Sequence, residues 1–384
     1  MRVAIIINHY DAARGGVERY AETVLRALIE AGHTVSIIAS EARDLPPGAA
    51  LHSVRAATFW SPVKTFSFAR GAARVIERDR GAWDAVLGLA RTPHQDVYRE
   101  GAGAYDTLLR ATSAGTGAGR GSLSRLNPRH AAQLAMEKRI FSAWRTGATR
   151  RYLFNSNRVR DEILARYDVP PDRIDVLHNP VDAARFDPAR HRGRRDEVRA
   201  SLGIPDEAYT LIFSGSGFRR KGLDLAVTAA ARARSRPWLL VAGKGGPGPY
   251  RALAEREGAG DRVIFAGARP DIEALYAASD ALLAPTRYDA FSNATAEALA
   301  MGLPAITTRM NGASEVITEG REGFVVEKSD DTAALAAAVD RLAERGLREQ
   351  MGRQARARAE LLSPRAHADG LVKVFEAALA MGGR

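Results

Sequence analysis

Apolar and polar positions follow a rhythm of short continuous apolar runs and helical spacings. Val3 to Asn8 is a β-branched run, the pattern of a strand covered on both faces. In HYDAARGGVERYAETVLRALIEAGH, Val17, Tyr20, Val24, Leu25, Leu28 and Ile29 recur at helical spacing, and Gly32 ends that helix. Thr34 to Ala39 is the second strand. Leu51 to Ala56 and Asp84 to Leu87 are the third and fourth, with a basic helix over Phe66 to Arg80 between them. Arg91 to Asp106, RTPHQDVYREGAGAYD, reads as a polar loop leaving a strand end. Thr112 to Ser124 is rich in Gly, Ser and Thr and reads as mobile. RHAAQLAMEKRIFSAWRTGATRR reads as an amphipathic helix in which apolar residues alternate with Lys138, Arg139 and Arg145. Arg151 to Phe154 is a strand, and Asn155-Ser156-Asn157 caps the helix after it.

After a charged linker, HRGRRDEVR, the rhythm restarts. Strands are expected at Tyr209 to Ser214, Trp238 to Ala242, Val263 to Ala266, Asp280 to Pro285, Pro304 to Thr308 and Gly323 to Val326. Helices are expected from near Leu223, over Ile272 to Ser279, Asp331 to Glu344 and Pro364 to Ala380. Two runs of strand–helix alternation predict two α/β, doubly wound parallel-sheet domains, 1–187 and 188–363. No short internal repeat is present.

Composition narrows the classes. A length of 384 residues suits two domains, and 46% hydrophobic with 26% charged residues suits globular cores. With no cysteine, disulfides, thiol nucleophiles and cysteine metal sites are excluded, which fits a reducing cytoplasm. The apolar run in MRVAIIINHY is too short for a secretory leader, so a cytoplasmic protein is expected. A formal charge of +11 favours anionic partners. Neither HExxH nor an acidic metal triad is evident, so no metal is expected.

Candidate chemistry gathers where strands hand over to helices. In Ala284 to Thr308, Asp289 and Glu297 stand eight residues apart, around a turn where Ser292 or Asn293 can cap a helix. Bare N–H groups at such a helix start suit a diphosphate, and flanking carboxylates suit sugar hydroxyls. An ordinary helix start with surface acids has the same pattern. Arg220, Lys221 and Gly222 lie between a strand and a helix, where fixed cations can neutralise charge on a leaving phosphate. Gly15 and Gly16 precede the first helix without forming G-x-G-x-x-G. In Arg91 to Asp106, Asp96 is the first candidate for an acceptor-side base or orienter and His94 the second; Tyr98 and Glu100 are further polar candidates.

These motifs resemble, in order, those of the GT4 family of retaining glycosyltransferases, which have the GT-B fold. The matching elements are Gly15-Gly16 with Glu18 and Arg19, the segment RIDVLHNPVDAARFDP, Arg220-Lys221-Gly222, and Asp289 with Glu297. The family usually has Glu where this chain has Asp289. The Asp-Val-Tyr element is similar to the lipopolysaccharide-core glucosyltransferase branch. The resemblance implies two facing domains with a central cleft, the first for the acceptor and the second for the donor, and a C-terminal helix, 364–384, returning to the first. It implies a nucleotide-diphosphate sugar, UDP-glucose above all, as co-substrate with no cofactor, and a glycan or glycolipid acceptor such as lipopolysaccharide core. Donor contacts would come from Gly15, Gly16, Arg220, Lys221, Arg269, Asp289, Phe291, Ser292, Asn293 and Glu297. The basic helices of the first domain would touch an anionic membrane peripherally, on its cytoplasmic face, and nucleic acid would not bind. Two other classes fit the same residues: an epimerase or hydrolase of nucleotide sugars on the same fold, and a non-catalytic basic binder of membrane or nucleic acid.

Overall fold

Among the described residues, nine strands precede residue 180: β1 (Arg2–Ile6), β2 (His9–Tyr10), β3 (Thr34–Ala39), β4 (Glu41–Ala42), β5 (Ala49–Ser53), β6 (Ala85–Gly88), β7 (Gln95–Glu100), β8 (Thr149–Phe154) and β9 (Ile174–Val176). Six follow: β10 (Thr210–Ser214), β11 (Trp238–Ala242), β12 (Val263–Gly267), β13 (Ala281–Ala284), β14 (Ala305–Thr308) and β15 (Gly323–Val326). The structure is a computed structural model and describes residues 1–11, 15–79, 81–113 and 127–382. The expected mobile stretch Thr112 to Ser124 lies, from residue 114 on, outside the described residues.

The backbone divides into Met1–Pro180 with Pro364–Arg384, and Val181–Ser363. Residues 181–187, assigned by sequence to the first domain, belong to the second unit, because Val181 and Phe186 are buried in its core. The linker did not mark the division; the apolar anchors inside RIDVLHNPVDAARFDP do.

The first unit carries a parallel sheet in the order β5-β3-β1-β6-β7-β8-β9. Alternate residues of β1 serve opposite faces. Val3 and Ile5 pack with the helices Gly16–Glu30 and Pro364–Ala380, whereas Ala4 and Ile6 pack with the helix Ser61–Arg78. Burial on both sides explains the unbroken apolar run. The second unit's sheet runs β12-β11-β10-β13-β14-β15. In both sheets the order of strand addition therefore reverses beside the first strand, between β1 and β6 and between β10 and β13, all of them parallel. At such a switch point, loops from neighbouring strands part and leave a crevice at the carboxyl ends.

Arg91 to Asp106 departs from the expected loop. Gln95–Glu100 is a fully buried strand, and Tyr105–Ser113 is a helix. Polar residues fill this interior strand because each is partnered: Asp96 accepts from Val86 N–H at 2.8 Å and faces Arg150 at 3.4 Å, and Arg99 donates to Asn179 at 2.5 Å. The amphipathic basic segment forms the helix Pro128–Ser142. Its apolar side chains Met136, Ile140 and Phe141 are buried, so only its basic face, with Lys138 and Arg139, is presented outward. Among the described residues no helix is long and apolar enough to cross a membrane.

The C-terminal helix is locked onto the first unit through His367. Its Nδ1–H donates to the His178 carbonyl at 2.9 Å, which leaves Nε2 to accept from the Tyr20 hydroxyl at 2.8 Å. Arg99 stacks over the Tyr20 ring at 3.6 Å. Burial first, then the Arg99 charge, lower the His367 pKa from its usual value to about 3. The folded state thus holds a neutral imidazole where the unfolded chain binds a proton below about pH 6.5. Stability contributed by this site is complete above pH 6.5 and is lost as pH falls toward 3, at about 1.4 kcal/mol per pH unit. Denaturant titrations of wild type and His367→Gln between pH 7 and 4.5 are expected to show a shallower pH dependence in the variant. Parallel curves would contradict this assignment.

Candidate active site

The loops leaving β10 and β13 carry the strongest charge cluster at the second switch point. Residues 215–222 follow β10 and lead into the helix Leu223–Arg232. Gly222 has φ +76°, and a Cβ there would collide with the Pro285 carbonyl oxygen. Only glycine lets the two loops come this close. Backbone bonds then tie them together: Arg287 N–H and the Thr286 hydroxyl both donate to the Arg220 carbonyl, at 2.9 and 3.1 Å. Arg287 also forms a bidentate pair with Asp224 at 2.6 and 2.7 Å. At the end of β11, Gly243 has φ +144° and lies against the Gly215 carbonyl, keeping that edge free of side chains.

Asp289 is the centre of this arrangement. Its backbone pairs with residues 310–312, accepting from Gly312 N–H and donating to the Met310 carbonyl, both at 2.9 Å. Its carboxylate is ion-paired with Lys221, and Arg220 approaches the same oxygen at 3.7 Å. Arg220 also donates to the Tyr288 carbonyl at 2.8 Å. Two cations thus share one carboxylate, and all three side chains are at most a quarter exposed. One positive charge is left over, in a setting that screens it poorly.

The helix Asn293–Ala300 begins at the expected turn, but by a different device. Ser292 occupies the cap position and its side chain makes no capping bond. The fully buried Asn311 does the organising: its Oδ1 accepts from Ser292 N–H at 3.1 Å and Ala313 N–H at 3.0 Å, and its Nδ2 donates to Thr295 and Thr307. The sequence pattern alone does not single out Asn311; an Asn-Gly three residues after the buried strand β14 is the signal that marks it. Glu297, half-buried on this helix, accepts from the Tyr276 hydroxyl at 2.9 Å. Phe291 is a core side chain, so only its backbone is at hand for a ligand. Arg269, on the loop after β12, is held by Asp271 through two bonds of 2.8 Å, and this pairing raises the arginine pKa and lowers that of the aspartate.

In the first unit, Gly16 opens the helix Gly16–Glu30 and Gly15 caps it in extended conformation. The fold asks for no glycine at Gly16: a Cβ there meets nothing within 4 Å. Glu18 and Arg19 lie in the helix's first turn. Asp96 and His94, the candidates for an acceptor-side base, lie elsewhere than at a strand's carboxyl end. Both stand at the amino end of the parallel strand β7, the end opposite to where such sheets bind ligands, and Asp96 is engaged with Arg150 and Val86. Glu100 stands at the carboxyl end of β7. It accepts from Ala102 and Gly103 N–H at 2.8 and 3.1 Å and from the Tyr98 hydroxyl at 3.2 Å. Nearby Glu137 accepts from Tyr105 N–H and the Tyr167 hydroxyl, and burial raises its pKa.

Comparison with known proteins adds the following. The profile described as Glycosyltransferase Family 4 matches residues 14–185, and that described as Glycosyl transferases group 1 matches residues 194–358. Over 214 residues the chain is 31% identical to D-inositol 3-phosphate glycosyltransferase 1 of Catenulispora acidiphila, covering 52% of this chain and 49% of that protein. Over 247 residues it is 28% identical to the lipopolysaccharide glucosyltransferase WaaG of Escherichia coli, covering 63% of each. The matches thus span about half to two thirds of these relatives' length. The crystal structure of WaaG superposes with a TM-score of 0.79 at 23% identity, over 97% of this chain and 99% of that one. Anabaena HepE in complex with UDP-glucose gives 0.70 at 15%, over 98% and 99%. These likenesses establish the GT-B fold.

Asn311→Ala removes the acceptor of two buried amides. Each orphaned donor costs about 1–3 kcal/mol. Chemical denaturation is expected to show a loss in that range or above, and a loss near zero would remove Asn311 from its organising role.

Proposed function

Since the chain belongs to the GT4-type glycosyltransferases, we propose that it moves a hexose, glucose above all, from a UDP-sugar to a hydroxyl of a glycan or glycolipid such as lipopolysaccharide core, with retention at the anomeric carbon. The observation that carries this is the sharing of Asp289 by Arg220 and Lys221 at the β10/β13 switch point. A diphosphate competes for those cations, and its arrival frees the Asp289 carboxylate to accept from hydroxyls of the donor sugar.

In this mechanism, the bond from the anomeric carbon to the phosphate oxygen breaks as the acceptor oxygen bonds to the same face. The departing diphosphate takes the acceptor's proton. Arg220 and Lys221 stabilise the charge that builds on it, where stabilisation accelerates the reaction. Glu297 receives the ribose hydroxyls, Arg269 lies along the base, and backbone groups of Phe291, Ser292 and Asn293 complete the donor contacts. Gly15 and Gly16 offer bare amides to a phosphate. Because protein cations neutralise the diphosphate, no metal takes part. Glu100 replaces Asp96 as the acceptor-side carboxylate, and the exposed basic helices bring the protein to an anionic, cytoplasm-facing membrane. The likeness to D-inositol 3-phosphate glycosyltransferases favours a second acceptor class, a phosphorylated polyol.

Lys221→Ala is expected to lower kcat roughly 10²- to 10³-fold, the scale for deleting a group aimed at developing charge. Its melting temperature should move far less; unchanged turnover would take Lys221 out of the mechanism. A panel of nucleotide sugars, screened by thermal shift in EDTA, is expected to give the largest stabilisation with UDP-glucose. Asp289→Asn is expected to blunt that preference. No response to any nucleotide sugar would contradict the transferase reading.

A further inference from the structure

The helices Ser61–Arg78 and Pro128–Ser142 pack side by side, tied by Gln133 Nε2 donating to Thr65 Oγ1 at 2.9 Å. A cavity of about 460 Å³ opens between them. Its floor is apolar: Phe66, Ala69, Ala73 and Met136. Its rim is cationic. Arg70 and Arg139 both line it, and Arg139 stacks over the Phe66 ring at 5.1 Å. His94 stands exposed beside them, just before the amino end of β7. The volume falls within the range of small-molecule sites.

The lining chemistry selects the ligand. A sugar needs hydrogen-bond partners on several sides, and this floor offers none from its side chains. A hydrocarbon chain needs none, and an anionic head beside it finds two guanidinium groups suited to phosphate or carboxylate oxygens. The surroundings select the source. The two helices expose Lys64, Arg70, Arg74, Arg129, Lys138 and Arg139, against Glu77 as their one exposed acid. Just before the first of them, Phe59 and Trp60 are 69% and 62% exposed. Trp60 adopts φ +39°, a left-handed conformation unusual for a bulky residue, and it points no ring into the core. Aromatic rings next to a basic face suit the interface of an anionic bilayer.

We propose that this cavity takes up one hydrocarbon chain of an anionic bilayer lipid, with the lipid head group on Arg70 and Arg139. The site deepens the membrane contact given above and does not depend on sugar transfer. Electrostatic attraction brings the face to the bilayer, and chain capture fixes its orientation there.

The test uses the full chain with two probes: monomeric cis-parinarate, a fluorescent anionic chain, and vesicles of equimolar phosphatidylglycerol and phosphatidylcholine. Wild type is expected to bind parinarate and to release it to the vesicles. Ala73→Trp fills the cavity and is expected to lose parinarate affinity roughly tenfold while still pelleting with vesicles. Arg70→Glu, at an exposed position, is expected to fold and to weaken both. Equal parinarate affinity in wild type and both variants overturns the chain site. Displacement by free decanoate but not by vesicles overturns the bilayer source. Failure of wild type to bind the vesicles at all refutes the membrane contact itself.

Discussion

One carboxylate shared by two cations organises the second unit's candidate site. Asp289 is fixed by backbone pairing to residues 310–312, so its side chain is presented from a rigid frame. Lys221 and Arg220 reach it from the neighbouring loop, and that approach exists only because Gly222 allows the loop to touch Pro285. Remove the glycine, and the cations lose their aim; remove Asp289, and two positive charges face each other half-buried. The geometry keeps charge ready for an anion without leaving it unpaired, which is the condition a preorganised electrostatic site must meet.

The second organising contact is of another kind. In the first unit, His367 from the C-terminal helix, Tyr20 from the helix that opens with Gly16, Arg99 from β7 and the His178 carbonyl form one buried chain of polar and ring contacts. The helix end that presents Gly15 and Gly16 is thereby braced by residues distant in sequence. Such a network is costly where polar atoms lack partners, and a neutral imidazole with a fixed tautomer lets both ring nitrogens of His367 find one.

Much of this was legible beforehand. Thr34–Ala39 and Trp238–Ala242 form as their apolar runs dictate, and Arg220-Lys221-Gly222 lies between strand and helix as expected. What misled were positions where tertiary partners overrule local polarity. Gln95–Glu100 looks like a solvated loop because four of its six residues are polar or charged, yet Arg150, Asn179 and backbone amides absorb them. Read as a loop, the segment put Asp96 forward; as a strand, it sets Asp96 near one end and Glu100 at the other. Ser292 or Asn293 was expected to cap with its side chain; Ser292 makes no such bond, and Asn311, distant in sequence, fixes the turn by accepting from Ser292 N–H. Phe291 carries a donor-site expectation, but its ring serves the core. The amphipathic helix buries Ala132, Met136, Ile140 and Phe141, and Gln133 ties it to the helix Ser61–Arg78.

The central claim is that the surplus charge around Asp289 is a diphosphate site, and titration calorimetry with UDP and with uridine tests it most directly. Wild type is expected to bind UDP far more tightly than uridine, and Lys221→Met to lose most of that advantage while its affinity for uridine stays unchanged. Equal affinities for UDP and uridine in wild type, or an advantage that survives in the variant, would contradict it.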